Sequence, residues 1–398
     1  MTESLTDRLK DRAHALGFEL VGVCAPEPSE RDVAGYRRWL EAGMAGEMAY
    51  MGRPDRVARA SHPTATLDQV RSLVVVGKNY HTGDLPADVR DDPSRGLIAS
   101  YAWARDYHDL IVPRLAALRA WLAEALGREV GGRVYADTGP VLERDAAVRA
   151  GLGFVGRNTM LIHPRWGAWL FLGELLVDVE LDHDAPDPSG TCGRCTRCLV
   201  ACPTDAFPEP YVLDARRCIS DLTIELAGPI PRGLRAPLGN RIFGCDICNE
   251  VCPYNRRFAR ATDDPALRPA TDQVAPRLLD LLSLDDEAFA ARFGGTPIER
   301  PKRRGFLRNV CVALGNWGAP EAAAGLAAAL ADPEPLVRGH AAWALGRVGG
   351  RVSRGALGAA RRREPDPWVR AERSWRLPRL PGEIHCSANC WTITANLY

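Results

Sequence analysis

The chain lacks any apolar run long enough to cross a bilayer. The longest, Trp166 to Val177, is interrupted by Glu174, whereas a spanning helix needs about 20 apolar residues. Met1 to Phe18 mixes charged and apolar residues at helical spacing and lacks the apolar centre of a secretory signal. These absences predict a cytoplasmic protein without membrane contact. No Gly-x-Gly-x-x-Gly follows a strand-like segment, which argues against a Rossmann nicotinamide or flavin site. A Walker A motif is missing, and so is the Cys-x3-Cys-x2-Cys of radical enzymes that use S-adenosylmethionine. What remains is 398 residues, 46% hydrophobic and 25% charged, the proportions of an ordinary globular protein of about two to four domains.

Cysteine is the exception to this ordinariness. Eight of the twelve fall between Cys192 and Cys252, and without a secretory signal a disulfide framework is not expected. Cys192-x2-Cys195-x2-Cys198-x3-Cys202-Pro203 is the bacterial ferredoxin run, in which three cysteines hold one cubane and the fourth turns to a second. Cys218, Cys245, Cys248 and Cys252, with Pro253 behind the last, form the second half. Reciprocal ligation assigns Cys192, Cys195, Cys198 and Cys252 to one 4Fe-4S cluster. It assigns Cys202, Cys218, Cys245 and Cys248 to the other. Two all-thiolate zinc sites would also consume eight cysteines, but the spacing before each proline favours iron–sulfur. Cys24 and Cys311 read as small buried thiols. Cys386 and Cys390 offer two ligands without partners.

Helical and strand-like segments alternate over residues 1–185. Leu5, Leu9, Ala13 and Leu16 have helical spacing, as does Leu110 to Leu126 before Gly127; Phe18–Val23, Ser72–Val76, Val134–Ala136 and Trp169–Val179 read as strands. This predicts an α/β domain, followed by a two-cluster ferredoxin-like domain over 186–260. A helical connector is expected over 261–296, with Leu278, Leu279, Leu281 and Leu282 as a buried patch. Asp332-Pro-Glu-Pro-Leu-Val-Arg338 recurs 32 residues later as Glu364-Pro-Asp-Pro-Trp-Val-Arg370, which predicts an α-helical HEAT-like repeat domain over 297–373. Residues 374–398 read as an atypical tail. Residues 297–373 carry 14 Lys and Arg against 7 Asp and Glu, a net +7, whereas residues 1–296 carry −7. A basic module on an acidic body suits a polyanion.

Longer motifs extend this picture. Cys218-Ile-Ser-Asp-Leu-Thr-Ile-Glu-Leu226, Gly228-Pro-Ile-Pro231, Asn240-Arg-Ile-Phe-Gly-Cys-Asp-Ile-Cys248, Asp106-Tyr107-His108, Asp137-Thr-Gly-Pro140, Glu143-Arg144, Gly153-Phe-Val-Gly-Arg-Asn-Thr-Met-Leu-Ile-His-Pro164 and Trp169-Leu-Phe-Leu-Gly-Glu174 closely resemble epoxyqueuosine reductases, over roughly residues 5 to 260. The resemblance implies that the α/β domain binds cobalamin. It implies reduction of epoxyqueuosine to queuosine at the wobble position of tRNA, a two-electron loss of an epoxide oxygen as water, with Asp137 as proton donor. Without the resemblance, Asp137 would read as a helix cap. Arg56, Ser100, Leu161 and Leu172 are implied as walls of the corrinoid pocket, and Ser220 and Asp246 as contacts from the ferredoxin side. His108 and His163 are candidates for either contact or structure. Lys302, Arg303, Arg304, Arg308 and Arg338 are expected to hold tRNA phosphates. A monomer that takes electrons from reduced flavodoxin or ferredoxin completes the expectation. The rivals are a corrinoid reductase of the reductive-dehalogenase type acting on a small molecule, and a pure electron-transfer protein.

Overall fold

The computed structural model describes residues 3–373; the expected tail at 374–398, with Cys386 and Cys390, lies outside the described residues. A four-stranded sheet organises the first half. Its strands are β1 (Leu20–Cys24), β2 (Ser72–Asn79), β3 (Gly132–Tyr135) and β4 (Leu170–Val177), in spatial order β1-β2-β4-β3. Every pairing is antiparallel. Both faces of the sheet are covered, and this explains the unbroken apolar run of β2. Helices α1 (Leu5–Ala15) and α2 (His108–Leu126) pack on one face, where Val74, Val76, Phe171, Leu175 and Val177 meet Leu9, Ile111 and Leu115. Helix α3 (Glu143–Arg149) lies on the other, with Val75, Leu176 and partly buried Leu172 against Ala146 and Ala147. Gly173 is required within β4, because a Cβ there would stand 2.7 Å from Ile111. Gly151, Gly153 and Gly156 do have Gly-x-Gly-x-x-Gly spacing, but they follow α3 rather than a strand.

The connector is less helical than its sequence suggests. Prolines 265, 269 and 276 divide it, leaving short helices at Thr271–Val274, Leu278–Leu281 and Asp286–Phe293. Leu278 and Leu281 are buried, whereas Leu279 is exposed. Five helices close the described chain: α4 (Lys302–Trp317), α5 (Ala322–Ala329), α6 (Pro335–Val348), α7 (Gly350–Arg361) and α8 (Pro367–Arg373). Helix α4 is buried along most of its length, because it packs on the double-cluster segment as well as on its own repeat. Asn309 on α4 donates to the carbonyls of Thr223 and Ile242, both at 2.8 Å. The α/β domain is tied to the same segment by a parallel pairing of Leu97–Ile98 with Arg241–Phe243.

The repeat arginines have local work. Arg338 Nη1 donates to the carbonyls of Asp332 and Pro333, and Arg370 Nη1 donates to those of Glu364 and Pro365. One side chain therefore closes the same Pro-containing turn in each repeat. Arg338 also pairs with Glu364, and Arg303 with Asp332, so each pair staples one turn to its neighbour.

Candidate active site

Asp137 leaves the end of β3 with φ +59°, a left-handed conformation that few non-glycine residues adopt. The strained turn holds its carboxyl at the surface, where Asp137 is exposed. Tyr107 Oη donates to Asp137 Oδ2 at 3.0 Å. The Tyr107 ring is itself stacked on Phe171, with centroids 4.4 Å apart. Arg56 fixes the other side of the turn by donating to the Gly139 carbonyl at 2.9 Å and to that of Thr138 at 3.3 Å. Asp137 caps no helix: the residue before α3 is Leu142, and no side chain caps that end. The helix-cap alternative is thereby excluded.

Ser100 and Asp246 meet directly. The Ser100 backbone N–H donates to Asp246 Oδ2 at 2.7 Å, and Ser100 Oγ is buried beside the same carboxyl. Both line a cavity of about 60 Å³ that also touches Cys245, Trp169 and His81. Burial pushes the Asp246 carboxyl up to about 6, against the hydrogen bond from Ser100, which lowers it. Leu161 is buried in the cluster that holds Leu172 at its edge. Ser100 and Asp246 give this cavity a polar rim beside Trp169 and His81, which suits the polar edge of a corrinoid; Arg56, Leu161 and Leu172 do not line it.

The eight cysteines separate into two groups. Cys192 lies within electrostatic range of Cys195 and Cys252, and Cys198 of Cys192 and Cys195. Cys218 lies within range of Cys202, Cys245 of Cys218, and Cys248 of both Cys245 and Cys218. Burial pushes the Cys245 thiol up to about 12, so the pocket favours a thiolate only when a cation accompanies it. Backbone N–H groups already point at the sulfurs, from Arg157 to Cys192 and from Ala206 to Cys202, each at 3.4 Å. Ser220 is accounted for here, since its N–H faces the Cys218 thiol. This donor set fits two 4Fe-4S clusters.

Comparison with known proteins agrees in each region. Residues 60–138 match a family described as epoxyqueuosine reductase QueG, residues 191–255 a 4Fe-4S double cluster binding domain, and residues 304–376 HEAT repeats. The chain is 42% identical to the epoxyqueuosine reductase of Pseudomonas aeruginosa over 352 residues, covering 87% of this chain and 95% of that one. It is 36% identical to the epoxyqueuosine reductase of Escherichia coli, covering 86% and 89%. The chain belongs to the epoxyqueuosine reductase family. Two solved epoxyqueuosine reductases, each 29% identical and covering 92% of this chain and 96% of theirs, share its fold. One is bound to an epoxyqueuosine-modified tRNA stem loop, with a TM-score of 0.85. The other, from Bacillus subtilis, has its catalytic aspartate loop swung out of the active site, with a TM-score of 0.83. Membership makes the chain an oxidoreductase and sets aside the pure electron-carrier alternative.

Within this reductase the predicted phosphate contacts need correction. Arg308 is fully buried. Its guanidinium donates to the carbonyls of Leu222, Leu226 and Gly228, so it braces α4 against the double-cluster segment and has no face for a phosphate. Arg303 is buried and Arg338 half-buried, both engaged in the staples described above. Only Lys302 and Arg304 of the five remain exposed. Arg351, Arg354 and Arg361, on one face of α7, are exposed too and had no motif to mark them. His163 is structural: its Nδ1 accepts from the Arg165 N–H, and burial lowers its pKa to about 4. His108 pairs with Asp106 at 2.6 Å. Sequence motifs contained Tyr107 but gave it no role.

Proposed function

We propose that the chain reduces epoxyqueuosine to queuosine at the wobble position of tRNA, a two-electron deoxygenation in which two 4Fe-4S clusters feed a corrinoid and Asp137 donates a proton. The observation that carries this reading is an unbroken line of contacts from a cluster ligand to the acid. Cys245 is followed by Asp246, which accepts from Ser100. Next to Ser100, Tyr101 stands edge-on to Tyr107 with centroids 6.2 Å apart, and Tyr107 holds Asp137. A reduced corrinoid bound here supplies a strongly reducing, nucleophilic cobalt centre, and the carbon chemistry is largely its own. Arg56, Leu161, Leu172, Ser100 and Asp246 would hold it, while Tyr107 orients the Asp137 carboxyl toward the opening oxygen.

The tRNA-bound relative supports a tRNA substrate, whose wobble base must be splayed out to reach Asp137. Lys302, Arg304 and the arginines of α7 are the phosphate contacts in this reading, and reduced flavodoxin or ferredoxin is the electron source. The test is anaerobic turnover of epoxyqueuosine-bearing tRNA by reconstituted enzyme, read by mass spectrometry of nucleosides. Queuosine from wild type and none from Asp137→Asn is the expected result. Queuosine from both removes Asp137 from the acid role, and none from loaded wild type overturns the reaction.

A further inference from the structure

The two sets of cysteines have opposite surroundings. Cys245, grouped with Cys202, Cys218 and Cys248, lines the cavity of Ser100 and Asp246, so that set faces the active site. Its ligands are flanked by buried Ile219 and Phe243 and by the acids Asp221, Glu225, Asp246 and Glu250. The other set opens outward. Thr191, Gly193, Arg194, Thr196 and Arg197, beside and between Cys192, Cys195 and Cys198, are all exposed. Cys192 and Cys252 share a small apolar cluster with Tyr254. Tyr254 Oη donates to the Thr191 carbonyl at 3.0 Å, which brings the segment of Cys252 against that of Cys192. These two segments, 191–203 and 251–260, contain Arg194, Arg197, Arg256, Arg257 and Arg260 and no Asp or Glu, within a body of net −7. Among the described residues, the guanidinium groups of Arg194 and Arg197 have no hydrogen-bond or ion-pair partner. Two apolar side chains stand out on the same loops. Val200, on the short helix Arg197–Ala201, is 83% exposed. Tyr211 is 52% exposed, and its N–H donates to the carbonyl of Arg157, whose own N–H points at Cys192.

We propose that this arginine-rich face, with Val200 and Tyr211, is the docking surface for a small acidic electron-carrier protein, which delivers electrons to the cluster of Cys192, Cys195, Cys198 and Cys252. The inference rests on the cluster assignment and the electron source proposed above. A lone exposed valine is ordinary on a protein surface. The weight lies in the uncompensated positive charge over the cluster farther from the cavity. Such charge attracts an acidic partner and raises its rate of encounter. A transient electron-transfer contact needs less than about 1,200 Å² of buried surface, so a few arginines around an apolar centre suffice. Each encounter moves one electron: the carrier is oxidised, the cluster is reduced, and no covalent bond forms or breaks. Two encounters supply the two electrons of one turnover.

The test is anaerobic stopped-flow reduction of the cluster-loaded enzyme by reduced flavodoxin, followed by bleaching of the iron–sulfur absorbance. Wild type is compared with the double variant Arg194→Glu/Arg197→Glu and with Val200→Asp, each checked for full iron and acid-labile sulfide. At low salt the double variant should lose roughly 10- to 100-fold in second-order rate constant, and the gap should narrow as salt rises. Val200→Asp should lower the rate in the same direction. Reduction by photogenerated deazariboflavin radical, a small uncharged reductant that needs no docking, should be unchanged, as should tRNA affinity. Wild-type flavodoxin rates in both variants, an equal loss with deazariboflavin, or no reduction of wild type by flavodoxin overturns the proposal. Weakened tRNA binding with flavodoxin rates intact also overturns it and gives the face to RNA. If the double variant does not load its clusters, Val200→Asp decides. Turnover of epoxyqueuosine-bearing tRNA with deazariboflavin as reductant keeps the two readings apart. No queuosine from wild type overturns the reaction, while the flavodoxin rates still report the docking.

Discussion

The double-cluster segment and the repeat helices were both marked by repeated residues of one chemical type, yet only one set faces a ligand. In the first, Cys192 to Cys252 fall into two sets whose members influence one another electrostatically. In the second, Arg303, Arg308 and Arg338 turn inward and satisfy carbonyls and carboxylates of their own chain. The difference lies in how many partners each side chain accepts. A thiol set at ferredoxin spacing has few alternatives to metal, whereas a guanidinium with five donors is met equally well by phosphates, carboxylates or helix-end carbonyls. Spacing is therefore strong evidence for a ligand, and net charge is weak evidence for a partner.

Three variants would sharpen or break this contrast. Cys248→Ser should have the largest effect, halving bound iron and acid-labile sulfide and abolishing turnover; a protein that keeps full iron would break the cluster assignment. Arg308→Ala strands the carbonyls of Leu222, Leu226 and Gly228, and should cost on the order of 3–5 kcal/mol of stability in urea unfolding. Wild-type stability with weakened tRNA binding would return Arg308 to the phosphate contacts. Arg354→Ala, on the exposed face of α7, should change stability by less than about 0.5 kcal/mol. It should lower tRNA affinity and reduce the salt slope by about 1; an unchanged slope would remove α7 from the interface.

Much of the architecture was legible because it is local. Helix α2 ends at Gly127, which takes φ +63° as the C-terminal cap, and β2 begins at Ser72 where its β-branched run begins. The repeat was visible because each period must rebuild the same Pro-Arg turn. The connector was misjudged because leucine spacing was weighed without its prolines. The acid site was half legible: Asp137 stood in a recognisable turn, but its Tyr107 partner comes from the start of another helix, 30 residues away.

By itself, the sequence determined the double-cluster domain, the order of elements, the repeat and the family, all of which depend on residue type at short spacing. Only the tertiary structure decided that Arg308 is a brace and that Asp137 is exposed. Those outcomes depend on which surfaces meet across 30 to 80 residues, as between Tyr107 and Asp137 or Arg308 and Gly228, and charge and burial acquire their meaning only once those surfaces are in contact.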